Sequence, residues 1–140
     1  MWKSRSSMTT PLDPRPGPLD LGVFSLSLAV ADLEVSAAFY QKLGFVEVGG
    51  SRDDDYLILK NGQTTLGLFH GMFESNILTF NPGLTPQMDQ LDEFTDVREI
   101  QRRLQSAGIE LIEVVESEAG AGHVTIVDPD GNPILIDQFF

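Results

Sequence analysis

The sequence has no cysteine, so neither a disulfide framework nor a thiolate metal site can belong to its chemistry. Positive charge is scarce: 9 Lys and Arg stand against 21 Asp and Glu, a net charge of −12. That balance opposes phosphate backbones, and no basic stripe interrupts it, so no nucleic-acid partner is expected. Histidine occurs only as His70 and His123, which leaves little imidazole for metal binding or general base chemistry. No stretch approaches the roughly 18 apolar residues of a membrane span. Lys3 and Arg5 are not followed by the apolar run of a secretory signal. A cytoplasmic location with no membrane partner is the expectation. P-loop, dinucleotide and nucleophile-elbow motifs are missing too. Asp53-Asp54-Asp55 lacks the spaced oxygens and glycine of a calcium loop and reads as a solvated hairpin end. Gly120-Ala121-Gly122 precedes a strand instead of opening a helix, so it reads as a loop.

What is present suffices for one domain. The 140 residues are 41% apolar, enough for a packed core. Residues 1–20, with prolines at 11, 14, 16 and 18, read as a flexible Pro-rich tail that could order against a neighbouring surface. Residues 21–140 read as a single domain. Phe24–Val30 alternates as a strand, with Phe24, Leu26 and Leu28 on one face and Ser25 and Ser27 on the other. Asp32 is placed to cap a helix whose apolar stripe is Val35, Ala38, Phe39 and Leu43, and Gly44 to end it. Strands are expected at Phe45–Val48, Tyr56–Leu59 and Thr64–His70, the last two joined by an Asn61-Gly62 turn.

The same grammar returns. A strand is expected at Leu91–Thr95, interrupted as a pattern by Asp92 and Glu93. Asp96 caps a second helix carrying Val97, Ile100, Leu104 and Ala107, and Gly108 ends it. Strands follow at Ile109–Val115, His123–Val127 and Ile134–Ile136, with a turn at Asp130-Gly131-Asn132. Asp96 lies 64 residues after Asp32, and Gly108 lies 64 after Gly44. Matching landmarks in matching order indicate an internal duplication. Module one spans 21–71, a connecting segment 72–87, and module two 88–140. The connecting segment is rich in apolar residues (Met72, Phe73, Ile77, Leu78, Phe80), which suits a packed connection, an extra strand over Asn76–Phe80, or a pocket wall.

Val30-Ala31-Asp32-Leu33 followed by Ala38-Phe39-Tyr40-Gln41-Lys42-Leu43-Gly44-Phe45 resembles the opening of vicinal oxygen chelate proteins, the glyoxalase, bleomycin-resistance and extradiol-dioxygenase superfamily. Asp128-Pro129-Asp130-Gly131-Asn132-Pro133 resembles their closing turn. The resemblance covers Val23 to Gln138. It implies an α+β fold of two paired βαβββ modules whose curved sheet surrounds a cleft, and it implies a homodimer.

The resemblance also implies a divalent metal acting as a Lewis acid, held from the first and last strand of each module. Carried over one by one, those places fall at Ser25, near Leu66-Gly67, at Asp89 and at Leu135. Of these, Asp89 alone offers a ligand, and a catalytic metal wants three or more donors. The expectation is therefore a small-molecule ligand bound without metal or other cofactor, in a cleft lined by Ser25, Tyr56, His70, Asp89, His123 and Leu135. The alternative is a divergent lyase, isomerase or dioxygenase-type enzyme with a rearranged divalent metal site drawn from His70, His123 and a carboxylate such as Asp89 or Glu118. A general base at His70 or His123 would serve a metal-independent version. A third reading makes the tail and the connecting segment a protein-interaction surface. Resemblance to glyoxalase-type lyases leaves catalysis itself open.

Overall fold

The computed structural model describes residues 19–140. The expected tail lies outside them except for its last two residues. One of those, Leu19, packs with Leu21 against the core of the second half, so the packed unit begins ahead of the expected boundary at residue 21.

The elements are β1 (Val23–Ala29), α1 (Leu33–Lys42), β2 (Val46–Ser51), β3 (Tyr56–Asn61), β4 (Thr64–Phe69), β5 (Ile77–Asn81), α2 (Val97–Ser106), β6 (Gly122–Val127) and β7 (Pro133–Gln138). The strands form one mixed, curved sheet in the order β2-β3-β4-β1-β5-β7-β6. β1 and β5 run antiparallel at the centre, with Ser25 opposite Thr79. β4 flanks β1 in parallel, and β7 flanks β5 in parallel. Each half thus repeats the same pairing about the β1–β5 seam, as a duplicated module should.

The two helices reproduce the 64-residue offset at both ends. Asp32 accepts the Val35 amide at 3.1 Å and Asp96 accepts the Arg98 amide at 2.9 Å, each satisfying a donor that the first helical turn leaves free. Gly44 and Gly108 hold φ of +99° and +83°, the left-handed conformation that glycine adopts without a Cβ penalty.

Behind the sheet, α2 buries Val97, Ile100 and Leu104 against Val124, Ile126 and Ile136, as its stripe predicts. α1 departs from expectation. Ala37 packs against Leu57, Leu59 and Leu68, joined by Leu33 and Tyr40, whereas Val35 and Phe39 are 66% and 56% exposed. The reason is that Leu33, Ala37 and Tyr40 also stand at helical spacing, i, i+4 and i+7. The sheet takes that narrower stripe and leaves the bulkier one outward.

The second half differs from the expected module in two ways. Its first strand is β5, inside the expected connecting segment 72–87, and not Leu91–Thr95. Ile77–Asn81 offers an apolar run to pair with β1, while Asp92 and Glu93 spoil the later stretch. A long loop, 82–96, therefore separates β5 from α2. The strand expected at Ile109–Val115 is reduced to a single bridge between Glu113 and Thr125, and Ile112 and Val114 remain exposed. No helix among the described residues is long and apolar enough to cross a membrane.

Candidate functional site

Strand alternation decides what faces the helices and what faces away from them. Leu57, Leu59 and Leu68 point to α1, and Val124, Ile126 and Ile136 to α2. Their neighbours turn to the opposite, concave face and line a cleft of about 490 Å³. The cleft is mainly apolar, with a few convergent polar groups, as small-molecule sites commonly are.

One wall is aromatic. Tyr56 stacks on Phe69 with centroids 5.4 Å apart and planes 5° from parallel, and Phe69 meets Phe73 at 5.3 Å. Gly67 makes room for this wall: a Cβ there would lie 2.5 Å from the Phe69 ring. The floor is a band of hydroxyls from Ser25, Ser27, Thr65 and Thr79. Ser27 and Thr79 join across the β1–β5 seam through a buried 2.8 Å hydrogen bond, which satisfies both where solvent is excluded. Lys60, at the edge of this band, donates to the Thr65 hydroxyl at 2.7 Å and the Pro86 carbonyl at 2.6 Å. That contact ties loop 82–96 to β3, and the loop in turn sets Met88 against the cleft. At the far side stand Leu135, Asp137 and Phe139 of β7 and its extension. Burial pushes the Asp137 carboxyl above the ordinary carboxylate range, and the charge of His123 opposes that shift.

Of the residues expected to line the cleft, Ser25, Tyr56 and Leu135 do so. His70, Asp89 and His123 lie elsewhere. His70 follows Leu68 on the helix side, and its Nδ1 is 3.2 Å from the Val30 carbonyl, near Asp32, Glu34 and Arg52. Asp89 sits in loop 82–96, its amide bonded to the Thr85 hydroxyl at 3.1 Å. His123 lies on the edge strand opposite Asp137, with Nε2 3.3 Å from Glu113 and its side chain half exposed. Glu113 is held below the usual carboxylate range first by the Thr125 hydroxyl, with the His123 charge adding to it. Ser27, Thr65, Phe69 and Asp137 line the cleft without having been expected, while Phe73 and Thr79 come from the connecting segment, for which a pocket wall was one of the readings. Alternation reaches Ser27 from Ser25 and Asp137 from Leu135, since residues two apart share a strand face.

The metal places can now be located on the sheet. Because the first strand of the second half is β5, the counterpart of Ser25 belongs there and not at Asp89, and Thr79 fills that place, opposite Ser25 across the seam and beside Leu135 on the cleft face. The offset of 64 holds for the helices but fails upstream, where Thr79 follows Ser25 by 54 residues; the longer loop 82–96 absorbs the difference. In module one, Leu66 is not among the cleft's lining residues, while Thr65 and Gly67 are. The last place is Leu135, beside Thr79. Hydroxyls, a glycine and a leucine do not make a donor set for a catalytic divalent ion, which favours imidazole and carboxylate. No group of three or more His, Cys, Asp or Glu placed to hold a metal occurs among the described residues. The expected alternative set of His70, His123 and a carboxylate is not gathered, because the two histidines occupy different faces and opposite halves of the sheet.

Known proteins agree with this architecture. A structure from Vibrio splendidus 12B01, described as a glyoxalase/bleomycin resistance protein/dioxygenase superfamily member, matches with a TM-score of 0.60 and 18% identity over 82% of this chain and 97% of that one. One from Legionella pneumophila, described as an NAD-dependent benzaldehyde dehydrogenase, gives a TM-score of 0.61 and 18% identity over 84% and 99%. Methylmalonyl-CoA epimerase from Mycobacterium tuberculosis gives 0.56 and 17% over 89% and 95%. At these identities the likeness is one of fold. Comparison with curated proteins gave no match. The profile of one family spans residues 22–136, from the start of β1 to the middle of β7, and the chain belongs to the Glyoxalase/Bleomycin resistance protein/Dioxygenase superfamily.

Proposed function

We propose that this protein binds a small, largely apolar molecule in the concave cleft and does so without a catalytic metal. The observation that carries the reading is the composition of the cleft at the four places where a metal would be held. Ser25, Thr79, Thr65 with Gly67, and Leu135 all line it, and together they supply hydroxyls and apolar surface where the superfamily's chemistry needs strong donors. An aromatic wall and a hydroxyl floor suit recognition of a ligand by burial, with a few hydrogen bonds fixing its orientation. The two histidines that could serve as general bases lie outside the cleft lining, which weighs against the enzymatic alternative.

A neutral apolar fluorophore, N-phenyl-1-naphthylamine, provides the test. It should bind with enhanced emission, survive chelator treatment unchanged, and lose affinity in Gly67→Val, whose side chain would displace the Phe69 ring into the cleft. Circular dichroism would verify that the variant folds. Binding unaffected by Gly67→Val would place the site elsewhere. Stoichiometric metal in the purified protein, measured by mass spectrometry, would overturn the metal-free part.

We propose also that two copies pair in solution, and that the protein works in the cytoplasm. The pairing is supported by the outward apolar stripe of Val35 and Phe39 on α1 and Leu43 at its C-cap, since contiguous exposed apolar surface commonly marks an association site. Sedimentation velocity decides it, a monomer across the micromolar range being the contrary result.

A further inference from the structure

We infer that the cleft selects a cationic ligand, a protonated amine on an apolar body, with the Asp137 carboxylate as the anchor for its charge. The inference rests on the cleft being the binding site and names the class of molecule it takes.

Among the described residues that line the cleft, Asp137 is the one that bears a carboxyl or amine group. Its neighbours along the chain are apolar: Leu135 on β7 and Phe139 just beyond its end, two residues away on either side, line the cleft with it. On β5 the neighbouring side chain is Asn81, whose amide donates to the Asp137 main-chain carbonyl at 2.9 Å and not to the carboxylate. Among the described residues no hydrogen bond to that carboxylate is formed. A partly buried carboxylate with no hydrogen-bond donor is costly, and a ligand that brings a charged donor relieves the cost. This asymmetry is how a buried acid becomes a determinant of specificity: an ammonium gains a charge-assisted bond, while an alcohol gains less and a carboxylate is repelled.

The other charges near the cleft are few. On β6, His123 stands opposite Asp137 but is turned toward Glu113, 3.3 Å from its Nε2. On β3, Lys60 is the nearby cation on the other half, and its ammonium is already directed at Thr65 and the Pro86 carbonyl. The net charge of −12 adds a long-range field that draws cations and slows anions.

Three probes of matched size separate the possibilities: phenylbutylamine, phenylbutanol and phenylbutyrate, titrated into uniformly labelled full-length protein and followed by amide shifts. At about pH 8 the amine should bind roughly tenfold tighter than the alcohol, with the largest shifts around Asp137, and the carboxylate weakest. Asp137→Asn should bring amine and alcohol to within about twofold. In the unmodified protein the preference should also fade as acidification protonates Asp137, which keeps the test independent of the variant. Equal binding of amine and alcohol in the cleft, or tighter binding of the carboxylate through Lys60, would overturn the charge assignment and leave the cleft reading standing. Shifts from all three probes that avoid cleft residues would overturn both.

Discussion

Gln138 is 2% exposed and makes four hydrogen bonds where β7 ends. Its carbonyl oxygen accepts the Val97 amide at 2.8 Å, at the first turn of α2. Its amide nitrogen reaches the Asp96 carboxylate at 3.2 Å, the Gly120 carbonyl at 3.1 Å and the Phe140 carbonyl at 2.9 Å. One side chain thus fastens the helix cap, the loop before β6 and the end of β7. Gln138→Leu keeps the volume and removes the polar atoms. Gly120 and Asp96 retain Arg98 as a partner, but the Val97 amide, in a fully buried residue, is orphaned, and the Phe140 carbonyl loses its bond. At about 1–3 kcal/mol per buried unsatisfied group, less the gain from added apolar burial, the loss should be about 2–4 kcal/mol. For a domain of this size that corresponds to a drop of roughly 8–16 °C in Tm. Denaturant unfolding followed by far-ultraviolet circular dichroism measures it directly. Gln138→Glu sharpens the case: the acceptor for Val97 remains, but a carboxylate would face Asp96 and two carbonyls, so this variant should recover stability on acidification while Gln138→Leu does not. A Gln138→Leu variant within about 0.5 kcal/mol of the parent would refute the reasoning, since that is the range of ordinary surface changes.

Three further outcomes are expected. Asp137, held above the ordinary carboxylate range by burial, binds its proton more tightly folded than unfolded, so its contribution to stability is complete at low pH and is lost as pH rises through the folded value. Asp137→Asn should therefore be more stable than the parent at about pH 8 and converge with it on acidification; a pH-independent gap in chemical denaturation would contradict this. On α1, Phe39→Asp should change the unfolding free energy of the isolated chain by less than about 0.5 kcal/mol while weakening self-association in sedimentation experiments, and a large loss of stability would mean that the stripe packs within the chain. Finally, the triple change Ser25→His, Thr79→His and Leu135→Glu should create Zn²⁺-dependent thermal stabilisation, whereas substituting Asp89→His for the Thr79 change should not; equal stabilisation by the two sets would undo the assignment of Thr79 as the counterpart of Ser25.

Where the sequence could be read and where it could not follows from how local each signal is. The helix caps Asp32 and Asp96, the stops at Gly44 and Gly108, and the Asn61-Gly62 and Asp130-Gly131 turns depend on backbone geometry within a few residues, and all of them form. The choice between two apolar stripes on α1 depends on which one meets the sheet, and nothing within the helix decides that. The identity of the second module's first strand is likewise a matter of partners, because Ile77–Asn81 becomes a strand by pairing with β1 on one side and β7 on the other.

The error in strand then carries into chemistry. Counting back from Asp96 by the distance that separates Ser25 from Asp32 lands on Asp89, a carboxylate that looks like a ligand. Counting by register lands on Thr79, which does not. Duplicated modules keep their helices in step because both pack on the same kind of sheet face, but the loop joining strand to helix is free to lengthen, since loop closure costs little per added residue. Position in a repeat is therefore a safe guide to a site only when it is measured from the element that carries the site. Measured that way, the centre of this sheet is a band of hydroxyls flanked by Gly67 and Leu135, and its chemistry passes from the ligand places to the one carboxylate beside them, Asp137.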